Sequence, residues 1–90
     1  MINQIEAERL ARERVKQLGR YAGDEFELLN DETVRVDRGW VFFYNSAEFI
    51  RTKEPSDALA GNGPLFVSSD GSITELPTSM PWQEALEKVK

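Results

Sequence analysis

Histidine and cysteine are both absent from this chain, so thiol nucleophiles, imidazole-based triads, disulfides and zinc sites of the usual nitrogen and sulfur type are excluded. What remains for chemistry is sixteen Asp and Glu side chains. Two carboxylates facing each other across a cleft at about 5 to 9 Å can hydrolyse a glycoside. That requires burial to separate their pKa values, and nearly every acid here lies in a polar or turn segment that keeps it solvated. Asp31, Glu32 and Asp37 gather acidity without the ligand spacing of an EF-hand, so no metal is assigned to them. Gly61-Asn62-Gly63-Pro64 lacks the Lys and Ser or Thr of a phosphate cradle and reads as a structural turn, as does Gly39. The expectation is a protein without catalytic residues or cofactor.

Binding chemistry is better represented. Trp40, Phe42 and Tyr44 alternate along one apolar run and so share one face of a strand, with Val41 and Phe43 on the other. If helices cover only one sheet face, large side chains are left over, and Trp and Tyr are enriched at binding hot spots; the alternative is that neighbouring segments cover them. Arg9, Arg12, Lys16 and Arg20 recur at three- and four-residue steps and form a basic stripe, either a solvated helix face or a docking strip for an acidic partner. Candidate partner contacts are therefore Trp40, Phe42, Tyr44, Asp31, Glu32, Asp37, Arg9, Arg12 and Lys16.

Charge is distributed unevenly. Residues 1–23 carry five basic and three acidic side chains, net +2, and residues 24–90 carry six basic and thirteen acidic, net −7, for an overall −5. That field repels nucleic acid and anionic membrane and would steer a basic protein. No apolar run approaches the roughly 18 residues of a membrane span, and the amino terminus lacks a basic start and an apolar signal segment, so a cytoplasmic protein is expected.

The elements that position these residues follow from periodicity. Ala7, Leu10, Ala11, Val15, Leu18 and Ala22 predict a helix over the first 23 residues, opened by an Asn3/Glu6 capping box and ended by Gly19 or Gly23. Thr33 to Val36, then Asp37-Arg38-Gly39, then Trp40 to Tyr44 predict a hairpin. Phe26 to Leu29 is either a separate strand or the start of its first arm, with Asn30-Asp31-Glu32 a turn or a bulge. Short helical turns are predicted at 46–51 and 56–60, a second hairpin from Leu65 to Leu76 turning at Asp70-Gly71, and a closing helix after Pro81 with Trp82, Ala85, Leu86 and Val89 on one stripe. With 90 residues this makes one domain, 1–90. The expected fold is a two-layer α+β domain, an antiparallel sheet of three to four strands with both terminal helices packed on one face.

Gly39-Trp40-Val41-Phe42-Phe43-Tyr44-Asn45-Ser46, Phe49-Ile50, Leu59-Ala60-Gly61-Asn62-Gly63-Pro64-Leu65 and Asp70-Gly71-Ser72-Ile73 resemble the YrhB-like family, also called immunity protein family 35, over roughly residues 33–90. The resemblance implies a small cytosolic bacterial protein that binds and neutralises a cognate toxin domain of a polymorphic toxin system; a monomer or weak homodimer is expected. It supplies no catalytic residues. A reading from another class is a stand-alone chaperone-like protein that holds unfolded clients on an apolar patch.

Overall fold

The computed structural model describes residues 1–59 and 63–89. Helix α1 runs Gln4–Ala22; the Asn3 side chain accepts from the Glu6 N–H, and Gly23 ends it in the left-handed conformation (φ 70°). Of the two glycines that could have ended the helix, Gly19 instead lies inside it, buried, where a Cβ would come within 2.8 Å of the Asp24 carbonyl oxygen. Gly19 thus lets the returning chain lie against the helix.

Among the described residues six strands follow: β1 (Phe26–Leu28), β2 (Val34–Val36), β3 (Gly39–Phe42), β4 (Tyr44–Ser46), β5 (Leu65–Ser68) and β6 (Ile73–Glu75). All pairings are antiparallel. A four-stranded sheet has the order β2-β3-β5-β6, and β1 pairs with β4 in a separate two-stranded ribbon. Phe26 to Leu28 is therefore a strand of its own, and Asn30–Glu32 is a single 3-10 turn leading into β2. Phe43 is the joint between the ribbon and the sheet: its neighbours Phe42 and Tyr44 belong to β3 and β4, and its carbonyl accepts from the Leu29 N–H. Helix α2 (Ala47–Thr52) is capped by Ser46, a second 3-10 turn occupies Pro55–Asp57, and α3 (Trp82–Glu87) starts behind Pro81.

The α+β class holds, and the layering differs from the expectation. Ala7, Ala11 and Val15 of α1 pack on Trp40, Phe42, Tyr44, Leu65 and Val67, one face of the sheet. Ala85 of α3 packs with Val41, Phe66 and Leu76 on the other face, flanked by half-buried Phe43, Trp82 and Leu86. The terminal helices thus sit on opposite faces. Strand alternation accounts for this: β3 and β5 are apolar on both sides, and a sheet with two apolar faces needs a cover on each. Trp82 meets Phe43 edge to face at 6.0 Å. Arg38, from the β2–β3 turn, donates to the Leu86 and Val89 carbonyls, which ties the end of α3 to the hairpin.

Two turn positions are sterically exclusive to glycine. At Gly39 (φ 157°) an added Cβ would lie 2.1 Å from the Val67 carbonyl oxygen, and at Gly63 it would lie 1.9 Å from that of Leu76. Pro64 sits beside Gly63 and its carbonyl accepts from the Leu76 N–H, so this end of the motif closes β5 against β6. Gly61 and Asn62 lie outside the described residues.

Candidate functional site

The aromatic contact surface expected from the alternation of β3 and β4 is not on the surface. Trp40 and Phe42 are 2% and 1% exposed and Tyr44 is 9% exposed, all three under α1. The exposed-face reading is corrected accordingly: α1 takes one face of β3, α3 takes the other, and these rings build the core. Among the described residues the large apolar side chains left exposed are Met1, Ile5 and Tyr21. Trp40 carries one oddity. Its indole N–H is buried without a hydrogen-bond partner, and the Arg35 guanidinium lies 4.9 Å from the ring centroid.

The basic stripe is real as a surface, and half of it, Arg9 and Arg12, is neutralised within the helix. Arg9 pairs with Glu6 and Glu13, and Arg12 pairs with Glu8 at 2.8 Å. The hydrogen bond to Arg9 holds the Glu6 carboxyl below its ordinary pKa and raises that of Arg9 in turn. Lys16 and Arg20 make no ion pair among the described residues. They line one side of a groove of about 490 Å³ whose other side is β1. Arg14, on the flank nearest the sheet, reaches Glu75 of β6 at 3.3 Å.

The acidic candidates are exposed and come together around one sheet edge. Asp31 and Glu32 stand on the 3-10 turn before β2, and Asp37 stands in the turn after it. Asp31 and Glu32 line a shallow concavity of about 440 Å³ together with Thr33, Val34 and Phe43. Asp37 and Glu87 line a second, of about 340 Å³, with Val36, Arg38, Phe66 and Leu86. None of these four carboxylates has a cationic partner among the described residues. Pattern reading picked the three acids by composition; the half-buried floor of Val34, Val36, Phe43 and Leu86 between them emerges only once α3 is docked.

Among the described residues no three Asp or Glu converge into a metal-holding group. Asp70 is held below its ordinary pKa by the Ser68 hydroxyl and the Ser72 N–H, which serves the β5–β6 turn. Among the described residues no helix is long and apolar enough to cross a membrane.

Comparison with known proteins gives this surface a context. The sequence pattern of the family described as immunity protein 35 matches residues 6–89. The chain is also 37% identical over 54 residues to the uncharacterized protein YrhB of Escherichia coli strain K12, a match covering 59% of this chain and 57% of that protein. The chain thus spans little more than half the length of that relative. No solved structure matches. A family pattern that runs from the middle of the first turn of α1 to the residue before the last embraces both covers of the sheet and everything between them, and on that basis the chain belongs to the immunity protein 35 family.

Proposed function

We propose that this protein is a non-catalytic immunity factor that binds and neutralises a cognate bacterial toxin domain in the cytoplasm. The observation that carries the reading is family membership over residues 6–89. A chain with neither histidine nor cysteine supports it by leaving few reactive groups. The net −7 of residues 24–90 favours a basic partner, whose encounter it would accelerate by about 10 to 1000-fold over a neutral one, an effect that salt weakens. Acidic side chains that sit unpaired on the rim of β2 are the natural first contacts, since they keep their full charge for the partner. The chaperone-like alternative needs a broad apolar patch, and among the described residues the exposed large apolar side chains, Met1, Ile5 and Tyr21, all belong to α1 and its amino-terminal lead.

The test is co-expression with each candidate toxin domain found in the neighbourhood of the gene. Rescue of growth, a one-to-one complex in solution and an association rate that falls with ionic strength are expected. Absence of any complex, together with suppression of aggregation of unrelated proteins, would replace this reading with the chaperone-like one.

A further inference from the structure

Strand β2 is an edge of the four-stranded sheet, and the direction of its free backbone groups can be worked out. The register pairs Val36 with Gly39 and Val34 with Val41 on β3. On the far side of β3, the Ser69 N–H donates to the Arg38 carbonyl, in step with the Gly39–Ser68 and Trp40–Val67 pairing. Residues 38, 40 and 42 therefore bond toward β5, and 39 and 41 bond toward β2. Val34 and Val36 are the hydrogen-bonded positions of β2, and both backbone groups of Arg35 point outward, away from the sheet. They have no partner among the described residues.

On either side of that open position lie the two acid-rimmed concavities. One is at the level of Val34 and holds Asp31 and Glu32; the other is at the level of Val36 and holds Asp37 and Glu87. Both lie on the α3 side, because Val34 and Val36 point to that face and Arg35 points to the other. Two residues apart on a strand is about 7 Å, the repeat at which an added strand would present alternate side chains to the same face. A floor of Val34, Phe43, Val36 and Leu86 under a rim of unpaired carboxylates suits one side-chain type. The stem of Lys or Arg lies on apolar surface while its charged end meets a carboxylate.

We infer that β2 is a docking edge for an extended basic segment of the partner, which adds as a fifth strand and places Lys or Arg side chains two residues apart into the two concavities. This rests on the immunity reading and specifies its contact. The Arg35 N–H and C=O supply main-chain pairing, and the carboxylates at each end supply register and charge. Arg38, which among the described residues is the cation lining this strip, is held by the Leu86 and Val89 carbonyls, so it does not compete for the acidic rim.

Two capped peptides of identical composition, Thr-Arg-Thr-Arg-Thr and Thr-Arg-Arg-Thr-Thr, separate strand addition from plain charge attraction, because only the first holds two Arg side chains two residues apart. With isotope-labelled protein, the alternating peptide is expected to bind at least about tenfold tighter than its isomer, to slow exchange of the Arg35 amide proton, and to lose this advantage in the Asp31→Asn/Glu32→Gln/Asp37→Asn variant. All three substitutions are at exposed positions, and an unchanged melting curve would verify that the variant folds. Equal affinity for the two isomers, or an Arg35 amide that exchanges at its free rate under saturating peptide, overturns the proposal. In the toxin complex, rescue of growth with an unprotected Arg35 amide would discard the docking edge and keep the immunity function. Loss of the complex altogether discards the function, and the peptide result still decides the edge.

Discussion

Truncating Trp40 to alanine tests whether the aromatic run is core. The side chain is 2% exposed, wedged between α1 and the β3–β5 pair, and removing a buried indole of this kind costs about 3 to 5 kcal/mol. A 90-residue domain is stable by about 5 to 13 kcal/mol, so the variant loses a quarter of that or far more. At about 2.1 cal/mol/K per residue, the unfolding entropy near the midpoint is roughly 190 cal/mol/K, and the same loss lowers Tm by about 15 to 25 °C. Trp40→Phe should behave quite differently. It gives up apolar area worth about 1 kcal/mol plus a small cavity, and it removes a buried N–H that has no partner, a group whose burial costs about 1 to 3 kcal/mol. The two effects nearly cancel, placing the phenylalanine variant within about 1 kcal/mol of the parent. Urea unfolding and thermal melts, both followed by far-UV circular dichroism, measure the two variants. An alanine variant that melts within about 5 °C of the parent would return the ring to the surface and revive an aromatic contact patch. A phenylalanine variant as unstable as the alanine one would mean that the indole N–H is bonded after all.

Gly63→Ala forces a Cβ to within 1.9 Å of the Leu76 carbonyl oxygen, a backbone clash that should cost about 2 kcal/mol or more in the same urea assay. Ser46→Ala removes both the cap on α2 and the hydroxyl that donates to the Asp57 carbonyl at 2.7 Å; a loss of about 2 kcal/mol is expected, with the 46–57 segment exchanging amide protons faster. For pH, Asp70 has a folded-state pKa depressed by Ser68 and Ser72, so its contribution is present above its unfolded pKa and disappears as pH falls through the folded value. Melts between about pH 5 and 2 should therefore show Asp70→Asn losing less stability on acidification than the parent, because the amide keeps an acceptor for the Ser72 N–H and does not titrate.

Much of the local structure could be read from residue types because it depends on near neighbours. The Asn3/Glu6 cap, the 3.6-residue stripe of α1, the Asp37-Arg38 turn between β2 and β3, and the Ser46 cap all appear where pattern places them. Alternation also correctly grouped Trp40, Phe42 and Tyr44 on one face. The mistake lay one level up. An amphipathic helix at the carboxy terminus advertises that it must bury a stripe, and nothing in the stripe says against which face. The double apolar character of the Trp40 to Tyr44 run is legible in the sequence, and of its two readings, surplus aromatic surface or a cover supplied by other segments, the structure realises the second.

The candidate site divides the same way. The acidic residues were recognisable by type, but their assembly was not, since Asp31 and Asp37 become the two ends of one exposed edge only when β2 pairs with β3 and stays unpaired beyond. Likewise the basic stripe was visible and its partial neutralisation by Glu6, Glu8 and Glu13 depends on side-chain geometry. Residue order alone determined the absence of thiol and imidazole groups, the helix caps at Asn3 and Ser46, the turn between β2 and β3, and which side chains share a face, because each of these rests on covalent spacing and local hydrogen bonding. Tertiary structure alone decided that the rings are interior, that the helices take opposite faces, and that an acid-rimmed edge is left open. Those outcomes depend on how segments far apart in the chain exclude water between them, a competition that no single segment encodes.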